Sequence, residues 1–151
     1  MDWKLDLNEK YKQTTINIQA PKLTDDISRI MNFIDQLSYT LTVHRYKEQS
    51  KVDLRNIIYI ENVERVTFIY TQTDIYEDNR PLYELENLLR SFEFIRINKQ
   101  TLINPRYIQS VKALLNSRYE LIMTTEEKLI VTRHYRKRFK KIFEKGGLYD
   151  A

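Results

Sequence analysis

Two hydrophobic periods alternate along this chain. From Thr14 to Gln19, Ile16 and Ile18 alternate with polar neighbours, the period-two signature of a half-buried strand. Thr24 then stands as an N-cap after Pro21, with Asp25 and Asp26 in the first turn. Ile27, Ile30, Met31, Ile34 and Leu37 recur at helical spacing behind it. Tyr39, Leu41 and Val43 return to alternation, so residues 1–50 read as a small β-α-β extension. The polar stretch Lys47–Lys51 is the expected seam, since it separates two regions that both read as strand.

Beyond it the pattern is mostly short strands. Asn56–Ile60 is a nearly continuous apolar run and Val66–Tyr70 follows a break at Glu61–Glu64, two strands joined by a hairpin. Asp74–Asn79 carries turn residues. Pro81 opens a short helix through Leu82, Leu85, Leu88 and Leu89, and Phe94–Ile97 resumes as strand. Asn104-Pro105 makes a turn, Ile108, Val111 and Leu114 lead to a hairpin tip at Asn116–Arg118, and Tyr119–Thr124 and Lys128–Thr132 flank a turn at Thr125–Glu127. Last, Tyr135, Phe139, Ile142 and Phe143 fall on one face of a helix that Gly146-Gly147 terminates. That stripe reads as core packing, with a membrane-surface helix as the alternative. The expected architecture is therefore α+β, mainly β: an extension over 1–50, a body over 51–146 and a tail over 147–151.

Length and composition change this picture in three ways. At 151 residues the chain is one compact unit or one with a modest extension, large enough to bury a self-sufficient core. The absence of cysteine excludes thiolate chemistry and Cys-ligated zinc. No cationic-then-apolar leader occupies Met1–Ala20 and no apolar run approaches a ~20-residue span, so the expected compartment is the cytoplasm.

Charge is more informative by region than in total. The net charge is +4, yet residues 1–50 balance, residues 51–95 carry five basic against nine acidic side chains, and residues 96–151 carry thirteen basic against five acidic. A molecule with one strongly basic side finds its natural partners among polyanions; a solvated basic face is the plainer alternative.

Catalytic constellations are poor. The two histidines, His44 and His134, lie about ninety positions apart without metal-ligand spacing, and both glycines sit at the C-terminus, where no phosphate-cradling loop can form. Glu126-Glu127 and Asp25-Asp26 mark a turn and a helix start. No catalytic residue, metal ligand or cofactor is expected.

Four segments taken together carry a likeness to a known family. Ile57-Ile58-Tyr59-Ile60-Glu61, Pro81-Leu82-Tyr83-Glu84-Leu85-Glu86, the block from Phe94 through Arg96 to Asn104, and Ile130-Val131-Thr132-Arg133-His134-Tyr135 resemble the LytTR DNA-binding domain over about Asp53 to Phe143. The resemblance implies small antiparallel sheets with short helices, reading the major groove of double-stranded DNA through loops. Carried over residue by residue, it places Arg65 and Thr67 on the first reading segment and Arg96, Lys99 and Gln100 on the second. Arg133 falls on the third, with His134, Arg136 and Lys137 set for phosphates. Guanine O6 and N7 suit Arg133 and Lys99, whereas Arg96, Arg136 and Lys137 would neutralise phosphates. Two departures stand out: Val63–Thr67 stands where the first reading loop of many members carries His, Asn or Gly, and its Glu64 would repel phosphate, while Asn98–Thr101 stands where His-Arg-Ser or His-Asn-Ser is common.

Family members act as transcription regulators on paired short direct repeats at promoters. A phosphoacceptor receiver needs on the order of a hundred residues, so residues 1–50 imply another control, such as homodimerisation on DNA or docking to a small inhibitory membrane protein. A basic adaptor for an acidic protein and an RNA binder, its aromatics stacking bases, are the other classes that the composition admits.

Overall fold

The computed structural model of the chain describes residues 1–45 and 47–146. Residues 1–24 enter no helix or strand and are exposed throughout; the strand expected at Thr14–Gln19 does not form, because nothing in the described chain pairs with it. Helix α1 (Asp25–Ser38) starts where expected, the Thr24 hydroxyl accepting the Ile27 N–H. Strands β1 (Thr40–Arg45) and β2 (Glu48–Asp53) form an antiparallel hairpin with Leu41 opposite Val52. The expected seam thus lies largely within a strand, and Leu41, Val43 and Val52 belong to the same core as Leu54 and Ile57.

A five-stranded antiparallel sheet is the centre of the body, in spatial order β5 (Ile75–Asp78), β4 (Val66–Thr71), β3 (Ile57–Val63), β7 (Thr101–Ile103), β6 (Ile95–Asn98). The apolar run of β3 is buried on both sides, as a central strand between two layers must be. A bulge between Ile57 and Tyr59 breaks the alternation, and Ile58 and Tyr59 both join the second core. The first core lies on one side of the sheet, where Ile60, Ile69 and Leu102 meet Leu82, Leu85 and Leu89 of α2 (Leu82–Leu89) and the β1–β2 hairpin. In the second core Ile95, Ile97 and Ile103 meet a three-stranded sheet, β8 (Ile108–Leu114), β9 (Arg118–Met123) and β10 (Lys128–Val131), together with Phe139 of α3 (Arg133–Gly146). The stripe on α3 is therefore core packing. Its expected glycine cap reaches beyond the described residues, as does the tail over 147–151.

Turn residues read at Asp74–Asn79 turn out to be strand β5, because a buried ion pair satisfies its charge. Asp78 is fully buried at its side chain. Oδ1 accepts the Arg80 N–H at 2.8 Å and Nε at 3.0 Å, while Oδ2 accepts the His44 N–H at 3.0 Å and Arg80 Nη2 at 2.9 Å. Arg80 Nη2 also donates to the Thr42 carbonyl at 2.6 Å, which fastens the β1–β2 hairpin to the sheet. Burial alone would raise the Asp78 pKa; the hydrogen bonds from Arg80 and His44 outweigh it and hold the carboxyl below its ordinary value.

Candidate nucleic-acid interface

The antiparallel pairing gathers three loops at one end of the central sheet. Strand β3 runs toward that end and turns into β4 at Glu64-Arg65, with Glu64 left-handed at φ 59°. The β6–β7 turn at Lys99-Gln100 lies beside it, for the Asn62 N–H donates to the Gln100 carbonyl at 2.8 Å. The start of α3 is tied to the same place twice: the Thr132 N–H donates to the Ile97 carbonyl at 3.0 Å, and Asn98 Nδ2 donates to the Ile130 carbonyl at 2.9 Å. Asn98 Oδ1 in turn accepts the Gln100 N–H at 2.8 Å. Lys99, Gln100, Arg133 and His134 are all exposed on this buttressed end.

Not every expected reader is free to read. Thr67 is wholly buried; its hydroxyl accepts from Asn62 Nδ2 at 3.0 Å and donates to the Arg80 carbonyl at 2.8 Å. Its side chain belongs to the scaffold under the first loop, where Arg65 alone of the expected pair is exposed. Arg96 is similarly engaged. It donates to the Asn98 carbonyl through Nε at 2.7 Å, to Glu86 Oε1 through Nη1 at 3.3 Å and to the Lys99 carbonyl through Nη2, with 14% of its side chain exposed. A guanidinium committed to two turn carbonyls and a half-buried carboxylate holds the shape of the second loop. Asn104 does the same at the other end of the hairpin: it is fully buried, donating to the Ile57 carbonyl at 3.0 Å and capping the turn over Pro105–Tyr107.

The exposed side of α3 supplies the charge. An open groove between this helix and the β8–β9 turn is lined by Arg133, Arg136, Lys137, Lys140 and Ser117. Arg136 is half-buried, with its guanidinium carbon 4.8 Å from the centre of the Tyr119 ring, and that stacking aims it along the groove. Arg133 and Lys137, like Arg136 and Lys140, are like charges at i, i+4, each pair costing a few tenths of a kcal/mol in the free helix. A polyanion laid in the groove relieves that repulsion. Residue typing alone did not single out Ser117 and Lys140; the i, i+3 and i, i+7 spacing of Lys140 from Lys137 and Arg133 was the available signal for the lysine, and Ser117 is brought in only by tertiary folding.

Three loops gathered at one end of a sheet and a helix side dense in cations define a nucleic-acid-binding module. The LytTr DNA-binding domain family matches residues 47–144, and the chain belongs to that family. It is 28% identical over 142 residues to an uncharacterized HTH-type transcriptional regulator of Staphylococcus aureus strain MSSA476, covering 93% of this chain and 96% of the relative. With the sensory transduction protein LytR of Staphylococcus saprophyticus it shares 34% identity over 91 residues, which is 60% of this chain but only 36% of that relative. Among solved structures it resembles the LytTr DNA-binding domain of a Bacillus cereus protein described as a methyl-accepting/DNA response regulator. The TM-score is 0.63 at 22% identity, over 69% of this chain and 95% of the other. That likeness confirms the expected fold of small antiparallel sheets with short helices.

Proposed function

We propose that this chain is a transcription regulator that reads double-stranded DNA in the major groove through the β6–β7 turn and the start of α3. What carries the reading is the pair of bonds from Thr132 and Asn98, which makes Lys99, Gln100 and Arg133 one rigid unit bordering the cationic groove. Lys99 and Arg133 take base edges, where two acceptors on guanine suit either side chain. His134, Arg136, Lys137 and Lys140 take phosphates and set the register, and Arg65 approaches the backbone from the first loop. Thr67 and Arg96 are left to the scaffold. The sites are pairs of short direct repeats at promoters, occupied by two copies of the chain in the cytoplasm, and a small inhibitory membrane protein is the restraint.

Fluorescence anisotropy across a salt series tests this. Specific duplex should bind at least ~10³-fold tighter than scrambled duplex. Arg133→Ala should cost about 1–3 kcal/mol on the specific site alone, while Lys137→Ala should weaken all duplexes alike and reduce the salt slope by about one. Equal, steeply salt-dependent binding to every duplex and to single-stranded RNA would overturn the sequence-reading role and leave an electrostatic adaptor.

A further inference from the structure

Helix α1 is docked inside out. Its inner side is polar: Gln36, 1% exposed, donates through Nε2 to the Phe92 carbonyl, and Asn32 Nδ2 donates to Glu93 Oε1 at 3.1 Å. Of the stripe that the sequence marks for the core, Ile27, Met31 and Ile34 lie on the opposite side of the helix from Gln36, and Ile30 and Leu37 flank them. None of these side chains joins either core cluster among the described residues; three are half-buried, and Met31 and Leu37 are 48% and 42% exposed. The preceding arm adds Trp3, Leu7, Ile16 and Ile18, all exposed.

We propose that this stripe, together with the arm, is an interface between two copies of the chain. Area is the first argument. Taken together, the large exposed apolar side chains of residues 1–39 present on the order of 1,000 Å², enough to supply the ~800 Å² that one partner brings to a standard interface. Charge is the second. Residues 1–39 hold five basic and six acidic side chains, so two copies do not repel, and a strongly charged partner finds no complement there. Place in the fold is the third: α1 contacts the single turns over 54–56 and 90–92, which lead into the starts of β3 and β6, the end of the sheet remote from Lys99 and Arg133. A second copy seated on α1 leaves the reading loops open. The inference rests on the fold and not on the DNA-reading proposal.

Sedimentation equilibrium of the full chain against its Met31→Glu/Leu37→Glu variant decides it, with thermal unfolding of both as the check on folding. The intact chain should sediment at twice its chain mass at micromolar concentration, and the variant as a folded monomer with self-affinity reduced at least ~100-fold. A matching single-repeat duplex, if bound by the intact chain, should bind the folded variant with unchanged affinity. An intact chain that stays monomeric to ~100 µM, or a folded variant that still dimerises, overturns the proposal.

Discussion

Arg96 separates a scaffold role from a phosphate contact by its effect on stability. Alanine there removes three hydrogen bonds, two to the Asn98 and Lys99 carbonyls and one to Glu86, whose side chain is only 18% exposed. Bonds from a charged donor contribute about 1.5–3 kcal/mol each where water is excluded. The turn carbonyls rehydrate once the guanidinium is gone, which brings the expected total to about 2–4 kcal/mol. In a chain of this length that lowers the melting temperature by roughly 5–15 °C. Urea unfolding at pH 7 measures the loss directly, with Lys99→Ala as the comparison, since an exposed side chain on the same turn should change stability by less than about 0.5 kcal/mol. Affinity for a specific duplex should fall in both variants: in Lys99→Ala through the lost contact, in Arg96→Ala through a loosened turn. Full stability in Arg96→Ala with the salt slope reduced by about one would refute the clamp and restore the phosphate contact.

Removing Arg80 by Arg80→Ala leaves the Asp78 carboxylate buried and unpaired, and should cost about 3–5 kcal/mol by urea denaturation. Because the folded pKa of Asp78 lies below its unfolded value near 4, its stabilisation is complete above that unfolded value and is lost as pH falls through the folded one. Asp78→Asn should therefore flatten the acid limb of a stability–pH curve below about pH 4, and an unchanged limb would sink the assignment. Glu126 holds φ 77° in the β9–β10 turn without a glycine, so Glu126→Gly should stabilise by about 0.5–1 kcal/mol in thermal denaturation, whereas destabilisation would show that its side chain matters more than its backbone.

Strand periodicity was readable wherever one or both sides of a strand met a core. The β3–β4 and β9–β10 hairpins, β6, α2 and α3 all fall close to their apolar patterns. Strand β2 was hidden because only Val52 and Asp53 of its six residues lose appreciable exposure, and a sequence of Glu, Gln, Ser and Lys looks like a linker. Strand β5 was hidden by charge, since nothing local tells that Asp78 will be buried against Arg80. Thr14–Gln19 erred the other way, carrying a strand pattern with no partner in the described chain. At the interface, the family resemblance pointed to Arg133, His134, Lys137 and Lys99, and all four side chains are exposed. It could not tell an arginine that points to solvent from Arg96, which folds back onto its own turn.

Arg96 grips residue 99 by its main-chain carbonyl, which every amino acid possesses, and so is blind to the side chain mounted there. Thr132 and Asn98 likewise hold main-chain atoms at 97 and 130. The turn therefore works as a socket with interchangeable fittings: positions 99, 100 and 133 can be exchanged without disturbing what supports them. Libraries confined to those three positions should yield stably folded variants in quantity, and if those positions read bases as proposed, duplicated copies of such a gene can diverge in target preference while keeping one chassis.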